Sequence, residues 1–193
     1  MTRFWWVRHG PTHEATFAGW RNVPADLSDI AALTRLNVTL PSEAMLISSD
    51  LSRAITTADT LEGRGRRRLP HDANLREFNF GAWEGLRFDA VATRNPELSR
   101  AFWEQPGSIS APDGESWNAV TDRVEHAVGK LRQAYPDGDI IAVTHIGVIM
   151  SQIGQASPGG AMDALGYKID TLSITQIEIG PDSRRIVAIN HCP

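Results

Sequence analysis

Three short apolar runs punctuate the chain at wide intervals: Phe4-Trp5-Trp6-Val7, Ala44-Met45-Leu46-Ile47 and Asp139-Ile140-Ile141-Ala142-Val143-Thr144. Each is too short for a helix, and continuous apolar character suits a strand buried on both faces. Helical periodicity lies between them. Leu51, Ile55, Ala58 and Leu61 share one face; Trp117, Val120, Val124, Val128, Leu131 and Tyr135 form a stripe that leaves Asp122, Glu125, Arg132 and Gln133 outside it. Ser116 is the expected N-cap of that second helix. Residues 172–179 and 185–189 read as two further strands around a Gly180-Pro181-Asp182-Ser183 turn. Buried strands alternating with amphipathic helices predict an α/β fold on a mostly parallel sheet.

Residues 80–115 break that rhythm. They carry Phe80, Trp83, Phe88, Phe102 and Trp103, short helical pieces, and Pro106, Gly107 and Pro112 near their end. They read as an insertion over the sheet edge, placed like a lid, whose aromatics pack a small core of their own. A length of 193 residues fits one domain spanning 1–193. Hydrophobic residues at 41% supply a core, and a net charge of −4 argues against a surface built to blanket nucleic acid or an anionic membrane. An anionic ligand therefore needs a local positive pocket. The single cysteine, Cys192, can form no internal disulfide. The N-terminus lacks the basic-then-apolar pattern of a signal peptide, and no apolar run approaches the ~20 residues of a membrane helix. A cytoplasmic protein is expected, with monomer and homodimer both left open.

Open α/β sheets bind ligands beyond the carboxyl ends of their strands. Two predicted strands deliver a histidine there, His9 and His145, and a third is followed closely by Arg53; Arg8 adjoins His9. Taken singly, each has a bland reading: a structural imidazole or a solvated charge. Arg53, however, falls in a first helical turn, where the backbone dipole disfavours a cation by about 0.3–1 kcal/mol. A bound anion removes that conflict by accepting from both the guanidinium and the free N–H groups. A neutral imidazole attacks phosphorus well when its other nitrogen is held by a hydrogen bond, and the tight turn at Gly10 puts a carbonyl within reach of His9. Arg8, Arg53 and a protonated His145 would supply positive charge without a metal. His9 and His13 have the i, i+4 spacing of a zinc helix, but Gly10 and Pro11 between them oppose a helix. No Walker-type loop is present.

These residues resemble the histidine phosphatase superfamily, which includes cofactor-dependent phosphoglycerate mutases. The resemblance lies in Arg8-His9-Gly10, in Ser52-Arg53-Ala54-Ile55-Thr56-Thr57-Ala58, in Leu75-Arg76-Glu77-Phe78-Asn79-Phe80-Gly81-Ala82-Trp83-Glu84-Gly85 and in Val143-Thr144-His145, in that order over nearly the whole chain. It implies a three-layer α/β/α sandwich and a phosphoric monoester hydrolase with no cofactor and a small phosphomonoester as its partner molecule. It further implies His9 as the phosphorylated nucleophile, Arg8, Arg53 and His145 as the phosphate clamp, and Glu77 as general acid and then base. Phe17-Ala18-Gly19-Trp20 resembles a family loop whose backbone contacts substrate, Thr12 holds a family phosphate-pocket position, and Trp20 and Arg21 are candidates to reach the leaving group.

The mutases follow the acid glutamate with Arg and His, where this chain has Phe78 and Asn79. Phe80-Gly81-Ala82-Trp83-Glu84-Gly85 is similar to the phosphatase branch. Asp113-Gly114-Glu115-Ser116, the helix after it and Lys168-Ile169-Asp170 resemble the layout of α-ribazole phosphatases, which act in cobalamin synthesis. Departures are Ala15 in place of a phosphate-contacting asparagine, Pro11 in place of glutamate, Ile146 after the second histidine, and an irregular Asn22-Val23-Pro24-Ala25-Asp26. A mutase and a phosphate-binding module without turnover are the alternatives.

Overall fold

The computed structural model describes residues 1–193. In chain order its elements are β1 (Thr2–Arg8), α1 (Ile30–Thr39), β2 (Met45–Ser48), α2 (Ser52–Asp59), β3 (Arg67–Arg68), α3 (Phe88–Arg94), α4 (Pro96–Glu104), α5 (Trp117–Ala134), β4 (Asp139–Thr144), α6 (Ile146–Ala156), α7 (Ala161–Leu165), β5 (Ile174–Ile179) and β6 (Arg184–His191). The six strands form one sheet in the order β3-β2-β4-β1-β5-β6. β3, β2, β4 and β1 run parallel; β5 and β6 close one side antiparallel.

Period-two alternation divides the strands between two cores. Phe4, Trp6, Ile140 and Ala142 face one apolar cluster, which α5 and α6 cover with Val120, Val124, Val128, Val148, Ile149 and Ile153. Val7, Ile141 and Val143 face the other, covered by Leu36 of α1, its C-cap residue Leu40, and Ala54 and Ala58 of α2. Helices therefore blanket both faces, and the three-layer arrangement follows. Each fully buried Leu, Ile or Val contributes roughly 1.5–3 kcal/mol through apolar surface removed from water.

α5 starts where its cap was expected, with the Ser116 hydroxyl accepting from Ala119 N–H at 3.2 Å, and Tyr135 closes it as C-cap. β5 begins two residues later than its pattern suggested. Leu172 has φ +60°, outside extended geometry, and its N–H bonds the Arg8 carbonyl from there. Residues 80–115 contain one 3₁₀ turn (Gly81–Trp83) and the short α3 and α4. Their aromatics do not form a core of their own. Phe80, Trp83 and Phe102 join the principal cluster together with Phe4 and Trp6; Phe78 packs on Phe80 and Phe102 and also on Trp117 of α5, linking them to it. No helix is long and apolar enough to cross a membrane.

Candidate active site

Register explains why two histidines remote in sequence meet. Arg8 pairs with Thr144 across neighbouring parallel strands, so His9 and His145 leave the sheet at the same level. Their ring centroids lie 5.1 Å apart, close to the spacing of adjacent strands. The His9 N–H donates to the Thr144 carbonyl at 3.0 Å, and the Ser49 N–H, just past β2, donates to Val143 at 3.2 Å. Three strand ends thus sit side by side beneath one cavity.

The His9 tautomer is fixed by two neighbours whose roles are not exchangeable. The Gly10 carbonyl only accepts, so Nδ1, 2.7 Å away, carries the hydrogen. The Arg53 Nε–H only donates, so Nε2, 3.3 Å away, presents its lone pair. Burial, reinforced by the Arg53 charge, lowers the imidazole to a pKa of about 3. The ring is a neutral base, as nucleophilic attack requires.

Arg53 is 1% exposed on the first turn of α2. Its remaining donors reach the Arg21 carbonyl at 2.8 Å and the Gly19 carbonyl at 2.7 Å. Arg8 donates to the Ile169 carbonyl, while its buried Nε has no partner. Carbonyls hold both guanidiniums in place without neutralising them, since neither makes an ion pair within 4.0 Å. A buried and a half-buried cation facing one space form the local positive pocket that an acidic chain needs in order to hold an anion.

His145 is fully buried. Its Nε2 hydrogen-bonds the Ser49 hydroxyl at 2.7 Å, and its Nδ1 has no protein partner. Burial first, then the adjacent His9 and Arg53, hold it well below the usual imidazole range. The charged imidazole expected from the sequence is therefore not what the protein alone stabilises; an anion beside it is required to favour the proton. Glu77 is 6% exposed, and its Oε1 accepts from Phe78 N–H at 2.9 Å and Gly147 N–H at 3.1 Å. Burial raises its carboxyl above the ordinary range, against those N–H bonds and the nearby Arg53 and Arg8. Gly147 makes this approach feasible: a Cβ there would lie 2.3 Å from the Phe78 ring and 2.4 Å from Glu77 Oε1.

The cavity has a volume of about 460 Å³. Arg8, His9, Arg53 and Glu77 line its polar end, and Phe17, Phe78, Phe80, Phe88, Trp103 and Trp117 wall much of the remainder. Thr12 and Gly19 also reach it. Trp20 and Arg21 do not, and neither does the fully buried His145, which lies behind His9. The Trp20 indole N–H donates to the Glu77 carbonyl at 2.7 Å, with Arg76 stacked 4.8 Å above the ring, while the Arg21 side chain pairs with Glu14 at 3.2 Å. His13 turns away to Asp26. Sequence reasoning passed over Ser49, although it follows an apolar run directly, and Thr57, whose hydroxyl accepts from Gly10 N–H at 3.0 Å. It also missed Asn22, whose side-chain oxygen accepts from Ser52 N–H at 2.8 Å and caps α2, which has no cap of its own.

A bifunctional protein of Mycobacterium tuberculosis is 32% identical over 171 residues, 89% of this chain and 45% of that protein, so the chain spans a little under half of that relative's length. The adenosylcobalamin/alpha-ribazole phosphatase of Salmonella typhimurium is 34% identical over 188 residues, 92% of this chain and 90% of that one. The solved structure of YhfR from Bacillus stearothermophilus matches with a TM-score of 0.84 at 25% identity, covering 100% of this chain and 98% of that one. The family model for the histidine phosphatase superfamily, branch 1, matches residues 4–191, so nearly every residue described above falls within it, and the chain belongs to that superfamily.

Proposed function

We propose that the chain is a phosphomonoester hydrolase that needs no metal and works through a phosphohistidine at His9. The observation that carries this is the fixed His9 tautomer: a neutral imidazole presenting its Nε2 lone pair, beside the buried Arg53 and the half-buried Arg8, neither of which has a carboxylate partner. His9 Nε2 attacks phosphorus while Arg8 and Arg53 offset the charge spread over the transferring oxygens. Glu77, kept protonated by burial, gives its proton to the departing alkoxide oxygen as the P–O bond breaks. The resulting carboxylate then takes a proton from water, whose oxygen attacks the phosphorus and breaks the P–N bond. Phosphate leaves and His9 returns to its starting state.

The finer reading is a bulky apolar leaving group, with α-ribazole 5′-phosphate as the leading candidate. It is supported by the aromatic wall and by the name of the Salmonella relative. No cation other than Arg8 and Arg53 lines the cavity, so a substrate carboxylate has no counter-charge there, which disfavours a phosphoglycerate mutase. The test is hydrolysis of an aryl phosphate in the presence of EDTA, with rapid-quench trapping of acid-labile phosphoenzyme, followed by a screen that includes α-ribazole 5′-phosphate and the phosphoglycerates. Turnover and phosphoenzyme in the parent protein, both abolished in His9→Ala, are expected. Near-full activity in the alanine variant would overturn the mechanism. Binding of phosphate without turnover would leave a phosphate-binding module.

A further inference from the structure

The segment that carries Glu77 has no regular secondary structure beyond the 3₁₀ turn Ala73–Leu75. Buried carbonyls in such a segment need other partners. Four in succession, on residues 74 to 77, are taken by side-chain donors. Arg123 Nη1 reaches the Asn74 and Arg76 carbonyls at 2.8 and 2.7 Å, and its Nη2 reaches the Glu77 carbonyl at 2.8 Å. The Thr144 hydroxyl takes Leu75 at 2.8 Å, and the Trp20 indole shares Glu77.

Arg123 is itself fastened. Its Nε and Nη2 form a fork on Glu115, at 2.7 and 2.9 Å, and the pair is mostly shielded from solvent. Glu115 also accepts from Asn79 N–H at 2.8 Å, two residues past the acid, and its own N–H donates back to the Asn79 carbonyl. Gly114 permits this contact, because a Cβ there would lie 2.4 Å from the Asn79 carbonyl oxygen. Ser116, the next residue, caps the helix on which Arg123 sits about two turns further along. The Asp113-Gly114-Glu115-Ser116 run, which the phosphate chemistry leaves without a task, thus docks α5 onto the backbone on both sides of Glu77.

We infer that Arg123, oriented by Glu115, is the positioning residue that sets the Glu77 carboxyl at the leaving-group oxygen. It touches no reacting atom. Its guanidinium fixes the main chain from which the acid projects, while Gly147 and Phe78 N–H groups fix the carboxyl itself. The inference rests on the reading of Glu77 as the general acid. A purely structural Arg123 would satisfy the same carbonyls, so stability alone does not separate the two roles.

Leaving-group dependence does. In a phosphoenzyme mechanism kcat/KM reports steps only as far as departure of the leaving group. An acid matters there for a basic alkoxide and hardly at all for 4-nitrophenolate. In Arg123→Met we expect kcat/KM for 2-phenylethyl phosphate to fall about 100-fold, as a displacement near 1 Å costs, and the loss for 4-nitrophenyl phosphate to be at least tenfold smaller. Adding Glu77→Gln to Arg123→Met should cost little more than Glu77→Gln alone, since both act on one proton transfer. Should Arg123→Met fold poorly, Glu115→Gln keeps an acceptor for Asn79 N–H while weakening the fork, and should shift the alkyl-to-aryl ratio in the same direction by about tenfold. Equal losses for both substrates in the soluble variants, or additive losses in the double variant, overturn the positioning role while the function stands. If Glu77→Gln itself shows no leaving-group dependence, the acid assignment falls and this inference falls with it.

Discussion

At His9 and Glu77 a single cause, removal from water, produces the same neutral charge through opposite protonation states. Burial disfavours the imidazolium of one and the carboxylate of the other, so the first is lowered to about 3 and the second is raised. A neutral imidazole and a protonated carboxyl therefore coexist over a common pH span, as the proposed nucleophile and acid require. For an alkyl phosphate, kcat/KM corrected for the substrate's own ionisation should fall as pH rises through the Glu77 pKa, because the acid form is lost. It should also fall as pH drops toward about 3, because His9 gains a proton. The alkaline limb should vanish in Glu77→Gln; its persistence there would mean another group carries it. Stability has its own sign. The folded His9 binds its proton more weakly than the unfolded chain, whose imidazole titrates near 6.5. This contribution is complete above that pH and is lost as pH falls toward about 3, on the order of 1 kcal/mol per pH unit. The urea midpoint of the parent should fall relative to that of His9→Gln as acid is added across that window; a constant difference would contradict the lowered value.

Elements place these residues through their ends. β1 and β2 stop on either side of β4, each hydrogen-bonded to it, and α6 begins at once after His145, which puts the Gly147 N–H against Glu77. Gly147→Ala inserts a methyl where the Phe78 ring and the carboxylate already stand. It should cost about 1–3 kcal/mol in urea denaturation and lower alkyl phosphate turnover at least tenfold. Unchanged turnover would show that the carboxyl tolerates displacement. Legibility at this scale followed continuity of pattern. β4 matches its apolar run residue for residue, and α5 matches its stripe and its Ser116 cap, because both are governed by local periodicity. β3 carries no such signal: Arg67 and Arg68 are a strand only because Met45 and Leu46 pair with them. Likewise Phe80, Trp83 and Phe102 looked like the core of a separate piece, since nothing local reveals that Phe78 links them through Trp117 to the main one.

Over the whole molecule, a chain of net charge −4 concentrates two unpaired guanidiniums at the end of one cavity. The convergence of Arg8, His9, Arg53 and His145 was legible because strand ends share an edge, a property of topology that apolar runs disclose. The supporting contacts were not. Ser49 on His145, Asn22 on α2 and Arg123 behind Glu77 join residues far apart in sequence, through side chains whose local context resembles that of any surface polar group. Holding two cations out of water without carboxylate partners costs folding free energy, and an oxyanion that binds only the folded state returns it. Inorganic phosphate at about 100 times its Kd should raise unfolding free energy by about 2.7 kcal/mol, an increase of roughly 5–10 °C in Tm for a chain of this size. In Arg53→Met most of that increment should disappear at the same phosphate concentration, with chloride at matched ionic strength as the reference for each protein. Comparing each protein with and without phosphate removes whatever the substitution does to the contacts at Gly19 and Arg21. An equal increment in both proteins would mean that phosphate acts as a general salt, and the pair Arg8 and Arg53 would then have no claim to be the anion site.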